Sequence, residues 1–392
     1  MPYIPLEQAF PVGDLKVAVL NNDDNLGKKL NKYLVATRHS FDKKNSKGEI
    51  FDFYTKDNYL LDFQIPRFGS GEGKAKLNES VRGTDLFILV DVLNSNQSYK
   101  INNEETLFSP DDNFQDLKRL IASCNGKTVR INVIMPFLYE GRIDNRENLE
   151  SLDCANALHE LVDMGVENII TFDAHEPRIE NAIPLEGFDN FSPSLQFITT
   201  LLDYDKDLVI NDATLMTASP DENGTKRAIY YANMLGVNTG MFYARRDYSK
   251  IVNGEAPIIS YEFLGAPVEG KTVVIIDDMI SSGVSLLETM QQLKLRKAKK
   301  VYVFATYGLF TRGYEEFDKA FEEGLFDQLF TTNLTYVDPV LSEKEYYTEV
   351  DMSRYLATII NIINHDSTTE DVIDPSKRVQ QVIKNRKNIL DK

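Results

Sequence analysis

Val273-Val274-Ile275-Ile276-Asp277-Asp278-Met279-Ile280-Ser281-Ser282-Gly283-Val284-Ser285 decides how the rest of this chain is read. The run opens on β-branched and aliphatic residues without alternation, the mark of a strand buried on both faces of a parallel sheet. Two carboxylates follow where that strand should end, and open α/β sheets bind their ligands beyond the carboxyl ends of their strands. A turn of small residues comes next, and residues 286–290 carry a helical pattern. Backbone N–H groups and hydroxyls at such a helix N-terminus form a nest suited to a phosphate. The acidic pair does not bind that phosphate directly and suits sugar hydroxyls or a hydrated magnesium ion instead. Strand, Asp-Asp and Ser-Ser-Gly-x-Ser together imply a phosphorylated sugar. A strand capped by an ordinary Asp/Ser turn suits any one of these features but seldom all of them in this order.

The 392 residues leave room for two or three domains, each able to bury its own core. A hydrophobic share of 42% and a charged share of 26% are those of a soluble globular protein. The formal charge of −17 argues against non-specific binding of nucleic acid or anionic membrane, so a phosphate site has to be built locally from loops and a few arginines. Cys124 and Cys154 are the two cysteines, with no zinc-type spacing, and they point to a reducing, cytoplasmic setting. Met1-Pro2-Tyr3-Ile4-Pro5 lacks the basic and apolar segments of a signal peptide. No apolar run approaches the length of a membrane span.

Outward from the opening stretch, strand patterns fall at residues 15–20, 86–90, 130–135, 168–172, 239–243, 300–306 and 331–336, and 213–217 precedes a Ser-Pro-Asp turn. Helical spacing falls between them at 25–34, 114–122, 149–164, 194–202, 228–235 and 313–323, with a closing helix at 352–363. Residues 38–50 read as loop and 94–112 as an insertion, a hairpin being one form it can take. From 366 onward the chain reads as a mobile tail or a loosely docked helix. Strands alternating with helices give doubly wound, mostly parallel sheets, and the pattern restarts near 205. The expected division is therefore 1–204, 205–350 and a closing helix and polar tail at 351–392.

The opening stretch resembles the phosphoribosyl-diphosphate (PRPP) loop shared by type I phosphoribosyltransferases and ribose-phosphate diphosphokinases, and by itself does not separate them. Other motifs select between the two. Arg67-Phe68-Gly69-Ser70-Gly71-Glu72, with Asn78 to Gly83, resembles the first ATP-contacting loop of the diphosphokinases. The segment 136–144 is similar to their Arg-Gln-Asp segment, Asp173-Ala174-His175 to their Asp-Leu-His metal motif, and Ser219-Pro220-Asp221 with Gly224 to their ribose-side turn. The resemblance spans residues 15–365 in consistent order. It implies an α/β fold of two tandem phosphoribosyltransferase-like domains and a homo-oligomer of at least two chains. It also implies transfer of the diphosphoryl group of ATP to ribose 5-phosphate with Mg²⁺ as cofactor.

Carried over residue by residue, the resemblance gives Phe68, Glu72, Arg142 and Asp144 to ATP. It gives Asp277, Asp278, Ser281, Ser282, Gly283 and Ser285 to the ribose phosphate, and His175 and Asp221 to the metal. Arg246, His175 and position 244 would serve catalysis. Ala244 departs from the pattern, for the family has there a lysine that supports the transition state. Ser70, Ile143 and Ser281 replace an Asp, a Gln and an Asp. Lys250 lies six residues past Ala244 and reads as surface. His39, His159 and His365 read as structural or exposed, and the aromatics near 304–316 as core. Two rival readings stay open: a phosphoribosyltransferase, which would need a nucleobase hood not found here, and a catalytically weak homologue that binds nucleotide and sugar phosphate and regulates a partner.

Overall fold

The computed structural model describes residues 9–20, 24–41, 50–146, 148–246 and 258–390. The chain forms two compact units, one of residues 1–192, 334–336 and 351–373, the other of 193–333, 337–350 and 374–392.

The first unit opens with β1 (Asp14–Leu20), α1 (Asp24–His39), the short pair β2 (Phe63–Gln64) and β3 (Lys76–Leu77), and β4 (Thr84–Val90). A hairpin of β5 (Ser98–Ile101) and β6 (Glu104–Leu107) follows, then α2 (Pro110–Cys124), β7 (Arg130–Ile134), α3 (Asp153–Asp163), β8 (Asn168–Phe172) and β9 (Gly187–Phe191). Five strands lie in the order β1-β4-β7-β8-β9, every pair parallel. All seven residues of β4 are buried, which is why its apolar run does not alternate. The insertion at 94–112 is indeed a hairpin, followed by α2, which starts on a Ser109–Asp112 capping box with Pro110 in its first turn.

The second unit runs α4 (Ser194–Tyr204), β10 (Leu215–Ser219), α5 (Thr225–Leu235), β11 (Asn238–Arg246), β12 (Ile258–Gly265) and β13 (Thr272–Ile280). It continues through α6 (Val284–Leu295), β14 (Lys300–Gly308), α7 (Glu315–Glu322), β15 (Gln328–Thr332), α8 (Pro339–Ser342) and β16 (Tyr347–Val350). Its sheet has the order β12-β11-β10-β13-β14-β15-β16, parallel except for the β11–β12 pair. The winding therefore reverses between β10 and β13, and a reversal of this kind opens a crevice at the carboxyl ends of the two central strands. Asp221 follows one of those strands and Asp277 and Asp278 close the other.

The chain ends in α9 (Ser353–Asn364), α10 (Glu370–Ile373) and α11 (Ser376–Leu390). In the first unit, the fully buried Arg38 of α1 donates to Asn361 Oδ1 at 3.0 Å and to Asn364 Oδ1 at 2.9 Å on α9. His365 is buried beside Tyr54, whose hydroxyl lies 2.9 Å from its Nε2. In the second unit, α11 docks on α5, with Gln380 Nε2 donating to Met234 O at 2.6 Å. No helix among the described residues is long and apolar enough to cross a membrane.

Several expectations shift. The segment 38–50 begins as helix, because α1 runs on through His39 to bury Arg38. The helix read at 149–164 starts only at Asp153, and Leu149 is exposed. Residues 331–336 do not form one strand. β15 stops at Thr332, and Thr335 Oγ1 and Tyr336 N turn away to donate to Asp91 at 3.0 and 2.7 Å, because the buried carboxylate needs donors. Helix α4, read as closing the first half, belongs to the second unit, where Phe197 stacks on Phe304 at 4.8 Å. Of the two forms open to the polar stretch after 366, tail or docked helix, the structure has the helix, with Val379 and Ile383 of α11 buried.

Candidate active site

In the second unit the site grows from the end of β13. Strand geometry continues through Asp277 and Asp278 to Ile280, so the acidic pair is the last part of the ladder, not a turn beyond it. Asp278 N donates to Asp277 Oδ1 at 2.9 Å. Burial, then the charges of Asp278 and Asp221, push the Asp277 carboxyl well above its ordinary pKa, and Arg227 pulls the other way. Asp277 therefore lies within electrostatic reach of both Asp278 and Asp221 at the switch point between β10 and β13. Arg227, on the first turns of α5, sits 3.8 Å from Asp278 Oδ2 with both side chains largely buried. Sequence reasoning had not given Arg227 a role. Its place directly after the Ser-Pro-Asp turn was the available signal.

That turn is held from within. Ser219 Oγ donates to Asp221 O at 2.6 Å, and Gly224 N donates to Asp221 Oδ1 at 3.0 Å. A Cβ on Gly224 would come within 2.7 Å of Ser219 Oγ, so glycine is what lets the backbone close there. Asp221 itself remains exposed at the crevice.

Ser281 and Ser282 are half-buried, and Gly283 is the N-cap of α6 at φ 78°, in the left-handed region that favours glycine. Thr311 N donates to Ser281 O at 3.0 Å, which fixes the loop against the end of β14. No side chain caps α6 at Gly283, and the first-turn N–H groups of a helix have no partner within it. With Ser285 exposed on that first turn, the stretch from Ser281 to Ser285 presents hydroxyls and helix N-terminal N–H groups of the kind that hold an anion. The six residues expected to hold a ribose phosphate are thereby brought together.

Ala244 lies near the end of β11, opposite Tyr261 of the antiparallel edge strand β12, with a register irregularity between Arg245 and Arg246. The side chains of 244–246 and all of 247–257, Lys250 included, lie outside the described residues.

In the first unit, Phe68 and Glu72 sit on a tight loop. Phe68 N donates to Glu72 O and Gly71 N to Phe68 O, both at 2.8 Å. Phe68 is 55% exposed, which decides against a core role. Ser70 Oγ donates to Glu72 Oε2 at 2.7 Å. Arg142 is exposed, while Asp144 is half-buried and its Oδ2 is shut from solvent without a hydrogen-bond partner. Burial raises the Asp144 pKa, the charge of His175 opposes the rise and that of Glu176 adds to it. Asp144, His175 and Glu176 are therefore electrostatic neighbours, although 31 residues separate the first two. Asp173 leads into His175 from a left-handed backbone at φ 48°, anchored by its N–H to Phe191 O of β9 at 2.9 Å. Among the described residues, no three His, Cys, Asp or Glu side chains stand together as a metal-ligand group.

Two family descriptions match the chain: the N-terminal domain of ribose phosphate pyrophosphokinase over residues 15–165, and the phosphoribosyl transferase domain over residues 202–324. The ribose-phosphate pyrophosphokinase of Vibrio parahaemolyticus is 27% identical over 316 residues, 79% of this chain and 90% of that protein. The protein of the same name from Chlorobaculum tepidum is 25% identical over 334 residues, 83% of this chain and 91% of its own length. Among solved structures, phosphoribosylpyrophosphate synthetase from Mycobacterium smegmatis superposes with a TM-score of 0.70 at 19% identity, over 90% of this chain and 100% of that one. At that identity the superposition speaks for the fold.

Proposed function

Since the chain belongs to the ribose-phosphate pyrophosphokinase family, we propose that it transfers the diphosphoryl group of ATP to the anomeric hydroxyl of ribose 5-phosphate, giving PRPP and AMP. The observation that carries this reading is that β13 delivers Asp277 and Asp278 directly into the Ser281–Ser285 turn at the N-terminus of α6, at the switch point of one sheet. The nest takes the 5-phosphate, and the two carboxylates of β13 orient the ribose hydroxyls as hydrogen-bond acceptors.

The nucleotide side is assigned to Phe68 for stacking on adenine, with Glu72, Arg142 and Asp144 as polar contacts. In the transfer, the anomeric oxygen bonds to the β-phosphorus and its proton passes to water. The bond from that phosphorus to the oxygen it shares with the α-phosphate breaks, and AMP leaves with the bridging oxygen. Such chemistry depends on positioning and charge neutralisation more than on covalent help. Arg246 is the proposed cation on the sugar-side loop.

Asp221 offers exposed carboxylate oxygens, hard donors of the kind a hydrated magnesium ion takes. Magnesium usually needs only one or two protein carboxylates when substrate phosphates complete its shell, so a preformed cage is not required. Asp221 on the sugar side and His175 on the nucleotide side are the proposed contacts. Magnesium, when bound, supplies charge neutralisation at the ATP phosphates.

Both cysteines are buried and form no disulfide, and the net charge is −17, which supports a cytoplasmic protein with small-molecule substrates and no nucleic-acid partner. We assign it a homo-oligomeric state on the family resemblance. Ala244 favours a second reading, a homologue that binds both substrates and turns them over slowly. Loss of one preorganised cation from a phosphoryl-type transition state costs on the order of 10² to 10⁵ in rate.

The test compares AMP and PRPP formation from ATP, ribose 5-phosphate and Mg²⁺ by this chain and by Ala244→Lys. A fast lysine form beside a nearly inactive chain supports a diphosphokinase scaffold without its catalytic cation. Rapid turnover by the unaltered chain means another cation suffices. Failure of both forms to make PRPP rejects the pyrophosphokinase reading.

A further inference from the structure

The inserted hairpin β5–β6 takes no part in the chemistry proposed above, yet it is built onto the loop that presents Phe68 and Glu72. Its turn residues Asn102 and Asn103 stand at φ 52° and 68°, the left-handed pair of a type I′ turn whose twist matches the flanking strands. From that turn Asn102 N donates to Gly69 O at 3.1 Å. Ile101 closes over Gly71 so tightly that a Cβ there would stand 3.0 Å from Ile101 Cδ1.

Arg67, the residue before Phe68, joins these pieces. Its guanidinium carbon lies 4.9 Å from the ring centroids of both Tyr99, within β5, and Phe108, the residue after β6. Its Nη2 donates to Asp116 Oδ2 of α2 at 2.7 Å, with Arg67 7% and Asp116 2% exposed at the side chain. Asp116 also accepts from Arg119 at 2.6 Å, and Tyr99 OH donates to Asp112 at 3.2 Å. One buried cation therefore ties the loop, the hairpin and α2 together, between two aromatic rings that favour it electrostatically.

We propose that this hairpin is the positioning device of the nucleotide loop, with Arg67 and Tyr99 as positioning residues. The proposal rests on the assignment of Phe68 and Glu72 to ATP. Gly69, Gly71 and Gly73 make the loop intrinsically loose, and an exposed phenylalanine on a loose loop loses conformational entropy when it stacks on a base. A hairpin that fixes the loop beforehand removes that cost from nucleotide binding. The effect belongs to ATP affinity and leaves the sugar side, which the second unit carries, untouched.

The test uses the full chain with Tyr99→Ala and, as the conservative variant, Tyr99→Phe, which keeps the ring under Arg67. Amide exchange is read at Phe68 and Gly71, and KM is measured separately for ATP and ribose 5-phosphate. Tyr99→Ala is expected to speed exchange at both amides and to raise KM for ATP by roughly five- to thirty-fold. It should leave kcat and KM for ribose 5-phosphate unchanged, and Tyr99→Phe should match the unaltered chain. Unchanged exchange in Tyr99→Ala, or an equal rise in both KM values, overturns the proposal. A chain that binds no ATP rejects the nucleotide assignment, and with it the hairpin's role in binding. The exchange rates still decide separately whether the hairpin holds the loop.

Discussion

The ring of Phe317 on α7 lies 2.5 Å from the place that a Cβ on Gly283 would take. Gly283 also sits at φ 78°, so two independent constraints hold this position of the proposed phosphate nest to glycine. Gly283→Ala must either move the ring or unwind the nest, on top of about 1–2 kcal/mol for a Cβ in the left-handed region. The expected result is a KM for ribose 5-phosphate at least roughly tenfold higher, with ATP affinity preserved. Adding Phe317→Leu should recover part of the loss. Retention of full ribose 5-phosphate affinity by Gly283→Ala would falsify the nest.

Asp277 is held in a form unfavourable to its charge, by burial and by Asp278 and Asp221. An acid whose folded pKa is raised binds its proton more tightly folded than unfolded, so its burial destabilises the fold increasingly as pH rises through the interval between the two values. Asp277→Asn removes that cost, and thermal stability at pH 8 should stay level or rise. Binding should move the other way, because an amide oxygen is a poorer acceptor for sugar hydroxyls. The expected weakening for ribose 5-phosphate is about 10- to 150-fold, from roughly 1.5–3 kcal/mol for a hydrogen bond to a charged group. Parallel melting and calorimetric titrations check the pair, and a variant both less stable and fully binding contradicts it.

The legible part of the site was local in sequence. The run from Val273 to Ser285 predicts strand, acids and nest because each feature follows from neighbours along the chain, and β13, Gly283 and α6 appear as read. What escaped depends on distance. The Arg227 contact with Asp278 crosses from α5 to β13, and Asp144 meets His175 only once β8 and the 136–144 segment come together. Strands β9, β12 and β16 were missed for a different reason. Gly187-Phe188-Asp189-Asn190-Phe191 lacks β-branched residues and becomes a strand only because β8 offers it a ladder. Arg38 was read as loop because a fully buried arginine needs acceptors such as Asn361 and Asn364, over 320 residues away, that no local window contains.

Asp85 is fully buried and receives Arg130 through two nitrogens, Nε at 2.9 Å and Nη2 at 2.8 Å, together with Asn132 and Asn364 at 2.8 Å. Arg130 also donates to Ile363 O at 2.8 Å, so one side chain binds β4, β7 and the end of α9 within the first unit. Arg130→Ala leaves a buried carboxylate without its cation, a loss of about 3–5 kcal/mol. Chemical denaturation should show the first unit unfolding at lower urea. Arg130→Lys should recover only part, because an ammonium does not reproduce the two-nitrogen fork. Equal stability of Arg130→Ala and the unaltered chain contradicts the role of this pair.

Asp205 supplies a test in acid. Burial works against its charge, but hydrogen bonds from Lys300 Nζ at 2.6 Å and Tyr302 OH at 2.7 Å outweigh it and hold the carboxyl below its ordinary pKa. A carboxyl with a depressed folded pKa gives up its proton more readily in the folded state. The stability it contributes is fully present above its unfolded pKa of about 3.9 and is lost as pH falls through the folded value. Asp205→Asn should therefore lower the urea midpoint at pH 7. The gap to the unaltered chain should narrow once pH drops below about 4, because the native carboxyl is then also neutral. Tyr302→Phe removes one of the two donors and should show the same pH dependence at smaller amplitude. A gap that stays constant from neutral pH into acid would mean that Asp205 acts through packing alone, and the ion pair with Lys300 would then contribute nothing to the second unit's stability.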